Sequence, residues 1–123
     1  MITIERTQSS PYIFVDTAAN KLVLNGNSFA LNPHEVFGRL AEWGRSVSVK
    51  NGETLKADVT LGYYSTSNIQ FFNLLFKTLH QNNPGKIDLT FFVSPEDEED
   101  MEETMFSLLF NTGLEVRKKY TDA

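Results

Sequence analysis

The chain contains no cysteine. That excludes disulfides, thiolate metal sites and thiol nucleophiles, and it fits a reducing compartment. Histidine is almost as scarce, with His34 and His80 alone among 123 residues. Neither has a serine or aspartate at a spacing that suggests a catalytic relay, so histidine-based catalysis is not expected. No basic run is longer than Arg117-Lys118-Lys119, and the formal net charge is −5. A chain so poor in clustered positive charge offers no nucleic-acid footprint and no grip on anionic lipid. No apolar run approaches the ~20 residues that cross a bilayer. The opening residues Met1 to Arg6 lack the basic-then-apolar order of a secretory leader. These absences predict a cytoplasmic protein without cofactor or metal.

What is present is ordinary globular material. Hydrophobic residues make up 41% and charged residues 22%, enough for one core in one domain over residues 1–123. Ten phenylalanines predict that this core is rich in aromatic rings.

The hydrophobic pattern alternates between two periods. Residues 1–10 are polar and read as a frayed end or a short first strand. Tyr12 to Asp16 and Lys21 to Asn25 read as strands joined by the turn Ala18-Ala19-Asn20, a hairpin. Asn32, Pro33 and Glu35 form a helix-start pattern of cap, first-turn proline and capping-box acid. Val36, Phe37, Leu40, Ala41 and Trp43 continue it as one helix. Residues 54–64 alternate, with Leu55, Ala57, Val59, Leu61 and Tyr63 on one face and Lys56, Asp58 and Thr60 on the other. Ile69 to Leu79 reads as an amphipathic helix stopped by Asn82-Asn83-Pro84-Gly85. Lys86 to Val93 is a strand. Ser94 to Asp97 reads as a second capping pattern, before a helix carrying Met101, Met105, Leu108 and Leu109. Leu114 to Val116 reads as a last strand. This order predicts an α/β fold with a mixed sheet and helices mainly on one face, because the central strand has a polar second face.

Between the strand ending near Gly62 and the helix at Ile69 lies Tyr63-Tyr64-Ser65-Thr66-Ser67-Asn68. Three consecutive hydroxyls sit where helix N–H groups are unpaired and the local dipole is positive. A phosphate is well received there. Simple capping by Ser or Thr, worth about 1 kcal/mol, explains one hydroxyl equally well. An exposed Tyr64 would suit a partner anchor, unless the following helix covers it. The acidic run Glu96 to Glu103 lacks the spaced Asp/Asn and central Gly of a calcium loop. It reads as acids complementing a helix dipole, or as a contact for a basic partner.

A family resemblance extends over residues 10–117. Tyr12 to Asp16, Lys21 to Gly26, Ser28-Phe29 and the helix ending Leu40-Ala41-Glu42-Trp43 resemble the opening of the SiaC family of bacterial regulatory phosphoproteins. Leu61 to Ser67 is similar to that family's tyrosine-aromatic-Asn-Thr-Ser-Ser segment, and Pro95 to Met101 to its acidic segment. The resemblance implies a STAS-like domain and a non-enzymatic, partner-switching function. It implies Thr66 as the phosphorylated residue, set by a Ser/Thr protein kinase and a metal-dependent protein phosphatase. It further implies that the unphosphorylated form binds and activates a diguanylate cyclase, controlling cyclic-di-GMP signalling and biofilm formation. Ser65 stands where the family has Asn, and Asn68 where it has Ser. These departures leave Ser65 and Ser67 as further acceptors, and place Tyr64, Ser65, Ser67 and Asn68 as the expected partner-binding residues. The competing expectations are a module resembling an anti-sigma-factor antagonist or a constitutive binder with another partner, and a small enzyme using histidine and carboxylates.

Overall fold

The computed structural model describes residues 1–121. One sheet organises them, built from β1 (Ile2–Ile4), β2 (Tyr12–Asp16), β3 (Lys21–Asn25), β4 (Leu55–Thr60), β5 (Ile87–Val93) and β6 (Val116–Tyr120). The strands lie side by side in chain order. β1, β2 and β3 are antiparallel neighbours, and β3 through β6 are parallel. Each parallel step needs a crossover. These are α1 (Pro33–Val36) with α2 (Gly38–Ser46), then α3 (Thr66–Asn82), then α4 (Glu98–Leu109). Crossovers of one hand between strands laid down in one direction place every helix on the same face.

The register confirms that asymmetry. Val15, Leu22, Ala57 and Leu89 form one transverse row, and Ile13, Leu24, Val59 and Phe91 the next. All eight are buried beneath the helices. On the opposite face Lys56 is exposed, and Asp58 and Thr60 are only half-buried. The expected α/β fold, its hairpin and its one-sided helices are all present. The core is as aromatic as the composition implies: Phe37, Phe71 and Phe72 pack with centroids 5.1–5.5 Å apart.

Several boundaries differ from the sequence pattern. Asn32 caps α1 as expected, its Oδ1 accepting from the Glu35 N–H at 3.3 Å. The single helix expected beyond it is instead two, broken at Phe37 (φ −109°, ψ 24°). The break turns Phe37 wholly into the aromatic cluster, and Gly38, a weak helix former, follows it. α4 begins at Glu98, not at the Ser94–Asp97 pattern, and Asp97 makes no side-chain cap. Only Leu108 of its expected apolar residues is fully buried. The last strand runs through Arg117-Lys118-Lys119 rather than ending at Val116. An edge strand is held by backbone pairing, so its side chains need not alternate.

The most consequential difference concerns β4, which ends at Thr60. The Asn27 side chain accepts from the Tyr63 N–H at 2.8 Å. It passes so near Gly62 that any Cβ there would lie 2.4 Å from Asn27 Oδ1. This contact draws the chain out of the strand and shifts its phase. Tyr63, assigned to the inner face by alternation, is 60% exposed, while Tyr64 is buried.

Candidate functional site

The hydroxyl tract does not precede α3; it begins it. Ser65 is the N-cap, and Thr66, Ser67 and Asn68 form the first turn. Thr66 and Ser67 are exposed, Ser65 is half-buried and Asn68 is buried. The three N–H groups of that turn have no acceptor within the helix. The usual remedy is a cap hydroxyl, yet Ser65 makes no capping bond. Its Oγ faces inward and accepts from Asn68 Nδ2 at 2.8 Å. The first turn also carries no acidic side chain. Among the described residues the positive end of α3 therefore has neither a first-turn acid nor a side-chain cap, and the exposed Thr66 stands on it.

The corner is rigid because a distant loop is stitched to it. The Ser28 N–H donates to the Tyr63 carbonyl at 2.8 Å, and the Ser65 N–H donates to the Ser28 carbonyl at 3.0 Å. This isolated parallel bridge pairs Ser28 with Tyr64. Asn68 completes the join. Its Oδ1 accepts from Ser28 Oγ at 2.6 Å and from the Ala30 N–H at 3.3 Å. Its Nδ2 donates to the Ala30 carbonyl at 2.9 Å. Around these buried groups Phe29, Leu31 and Tyr63 project outward, with the Phe29 and Tyr63 rings 6.0 Å apart.

Two expected contact residues thus have different places. Tyr64 is 4% exposed and packs edge-on against Phe72 at 5.5 Å, because the phase shift at Gly62 turns it inward. Burial pushes its phenol well above the ordinary tyrosine range, and its hydroxyl has no hydrogen-bond partner among the described residues. Asn68 is wholly buried and shapes the corner from within. Tyr63, not Tyr64, is the tyrosine on the surface. Ser28 and Ala30 were not legible as part of the site; they lie 40 and 38 residues from Asn68, and only tertiary contact joins them.

The other candidates separate from this corner. His34 stacks edge-on against Phe71 at 5.3 Å, beside a groove between α2 and α3 that also includes Gly44, Leu74 and Leu75 and has no carboxylate lining. The imidazole of His80 lies against Gly113. Among the described residues no group of three or more histidines and carboxylates is placed to hold a metal ion. The acidic run crowns α4. There Glu98 accepts from the Lys118 ammonium and, at 2.6 Å, from the Tyr120 hydroxyl. These hydrogen bonds hold the Glu98 carboxyl below its ordinary pKa and raise those of Lys118 and Tyr120. No helix among the described residues is long and apolar enough to cross a membrane.

The structure thus joins a one-sided α/β layer to an exposed hydroxyl at a helix start whose cap side chain makes no capping bond. The SiaC family model, described as SiaC family regulatory phosphoprotein, matches residues 4–114. The chain belongs to that family. It is similar to an uncharacterized protein of Pseudomonas aeruginosa, 30% identical over 82 residues, 67% of this chain. The matched segment spans 65% of that relative's length. Its fold is similar to a chain in the crystal structure of the diguanylate cyclase SiaD in complex with its activator SiaC, from Pseudomonas aeruginosa. That likeness has TM-score 0.81 and 23% identity, covering 98% of this chain and 100% of the other. It is similar as well to a structure of SiaC of Pseudomonas aeruginosa, at TM-score 0.70 and 26% identity, covering 98% and 96%.

Proposed function

We propose that this protein is a non-enzymatic phospho-switch, a single cytoplasmic domain in which Thr66 is the modified residue. In this reading the unphosphorylated form binds and activates a diguanylate cyclase, as the SiaC in the cyclase complex activates SiaD. A Ser/Thr kinase and a metal-dependent phosphatase set its state. Cyclic-di-GMP output, and biofilm formation with it, follow. The observation that carries the proposal is the first turn of α3: Thr66 is exposed there, while the cap hydroxyl of Ser65 is turned away from the helix N–H groups. A phosphate adds roughly −1.5 to −2 charges and three acceptor oxygens. Those open N–H groups and the helix dipole favour it. The same charge lands on the turn that is bridged to the loop carrying Phe29 and Leu31, and a partner that buries this turn with those side chains must then desolvate it.

The test is a comparison of Thr66→Ala and Thr66→Glu with the parent chain, beside mass spectrometry of protein from its native host. Phosphate is expected on Thr66. Thr66→Ala should bind and activate the cyclase encoded in the same genome regardless of kinase. Thr66→Glu should weaken that binding at least about tenfold, the scale of one displaced charge-assisted contact. If both variants bind as the parent does and residues 65–67 carry no phosphate, the proposal fails.

A further inference from the structure

Asn68 is an unusual residue for its position. It lies in the first turn of α3 facing the interior, fully buried, where an apolar side chain would cost nothing in desolvation. Its amide is engaged on both sides. Oδ1 accepts from Ser28 Oγ and the Ala30 N–H; Nδ2 donates to the Ala30 carbonyl, to Ser65 Oγ at 2.8 Å and to Ser67 Oγ at 3.3 Å. Two sets of partners are joined through one side chain. The first is the backbone of the loop that carries Phe29 and Leu31. The second is the pair of hydroxyls flanking Thr66. Leu31 is 103% exposed and Phe29 38%, so apart from the small buried Ala30 and the Phe29–Tyr63 contact the loop has little packing of its own. Its bonds are those of Ser28 and Ala30 to Asn68, the two backbone bonds of the Ser28–Tyr64 bridge, and one from the Phe29 N–H to the Ser9 carbonyl at 2.8 Å; among the described residues only the Asn68 bonds reach Ala30, at the loop's centre.

We propose that Asn68 is the positioning residue of the switch: it locks the Thr66 turn to the Phe29–Leu31 loop, so that the acceptor hydroxyl and the apolar side chains meet the partner as one fixed surface. The occupant is the cyclase partner, because this apolar surface adjoins the turn that holds the proposed acceptor: the Tyr63 ring lies against Phe29, and Tyr64 is bridged to Ser28. The proposal rests on the Thr66 reading for its functional consequence, but not for its structural half. A buried amide that satisfies two elements at once fixes their relative placement, since breaking the join leaves several buried polar groups unpaired. Seating a phosphate on Thr66 places a strong acceptor next to Ser65 and Ser67, the hydroxyls that Asn68 holds. The same side chain would therefore carry the change of state into the loop.

The experiment uses the full chain with Asn68→Ala, Asn68→Asp and Ser28→Ala. Asn68→Asp keeps the acceptor side of the amide and loses its donors. Ser28→Ala removes one hydroxyl and tests the join even if the Asn68 variants fold poorly. Amide hydrogen exchange is followed at residues 28–32 and 63–67 against residues 55–60 and 87–93. Activation of the same-genome cyclase, titrated with each variant, is followed by cyclic-di-GMP formation from GTP. The expected result is exchange about tenfold faster at the corner alone, the scale of one lost hydrogen bond. The half-maximal activator concentration should rise with it, while maximal activation is unchanged. The Ser28→Ala and Asn68→Ala effects should combine less than additively. Unchanged exchange at the corner would overturn the proposal. So would altered exchange with unaltered titration, which leaves Asn68 a merely structural residue. If the parent chain itself does not activate the cyclase, the functional reading above fails; the exchange arm then still decides whether Asn68 locks the corner.

Discussion

The starts of α3 and α4 pose the same electrostatic problem and solve it differently. At α4 the positive end of the helix faces Glu98, Glu99 and Asp100 in its first turn. The charge is permanent, and Glu98 is further held by Lys118 and Tyr120 of the edge strand. At α3 the first turn has hydroxyls and no acid, and its cap side chain is turned inward. One helix start is neutralised by the sequence itself. The other carries no acid of its own, and it is there that the proposed phosphate of Thr66 would sit. The two differ in rigidity as well: the face of α3 below its start is packed into the aromatic core, whereas α4 buries only Leu108 fully and exposes Phe106 and Phe110. The proposed switch would need a fixed frame around a variable charge, and the packing of α3 is suited to that.

That contrast in packing is open to direct challenge. Phe72→Ala empties the centre of the cluster formed with Phe37, Phe71 and Tyr64 and should cost about 3–5 kcal/mol in denaturant unfolding. Phe106→Ala on α4, where the ring is 68% exposed, should stay within about 0.5 kcal/mol. Equal losses would mean that both helices are framework and that the contrast is false.

A smaller effect tests the inner wall of the corner. The Tyr64 hydroxyl is buried without a partner, a state that costs about 1–3 kcal/mol. Tyr64→Phe keeps the ring against Phe72 and should raise stability by about 1 kcal/mol, read as a higher Tm. A loss of stability instead would show that the hydroxyl is bonded in solution.

The smallest effect belongs to the α4 end. The Glu98 carboxyl has its pKa lowered by its hydrogen bonds to Lys118 and Tyr120. Its stabilising contribution is present above the ordinary value of 4.5 and is lost as pH falls through the lowered folded value. Lys118 and Tyr120 are raised, so their contributions are present below 10.5 and 10.0 and are lost as pH rises through the folded values. Lys118 and Tyr120 are exposed and Glu98 is half-buried at the surface, so solvent screens all three. Glu98→Gln should therefore flatten both limbs of a Tm-against-pH profile slightly, leaving the middle almost unchanged. A large loss at neutral pH would make α4 structural after all.

Much of this protein was readable along the chain. Period-two alternation in Leu55, Ala57 and Val59 and the apolar stripe through Phe72, Leu75, Phe76 and Leu79 are local signals, and each element they predict exists. The cap at Asn32 was equally local. The reading failed where a distant residue intervened. Alternation put Tyr63 inside and left Tyr64 for a partner; Asn27, bonding across 36 residues, reversed the two. The site divides in the same way. The three hydroxyls at the start of α3 were readable from their neighbours, and the family resemblance singled out Thr66 among them. The partners that position it, Ser28 and Ala30, gave no sign in the sequence. Ser65 and Asn68, which depart from the family's usual pattern, are in contact with each other at 2.8 Å, a relation that spacing alone does not reveal.

By itself the sequence determined the order of strands and helices, the one-sided apolar faces, the absence of thiol chemistry and the location of three hydroxyls at a strand-to-helix junction. These follow from residue type and short-range period, which act over a few residues at most. Only the tertiary structure decided which tyrosine reaches solvent, which way the Ser65 hydroxyl turns, and that Asn68 is a buried join rather than a contact. The tyrosines and Asn68 are set by hydrogen bonds between segments 36 to 40 residues apart, and the Ser65 hydroxyl follows Asn68. The folded sheet alone brings those segments together.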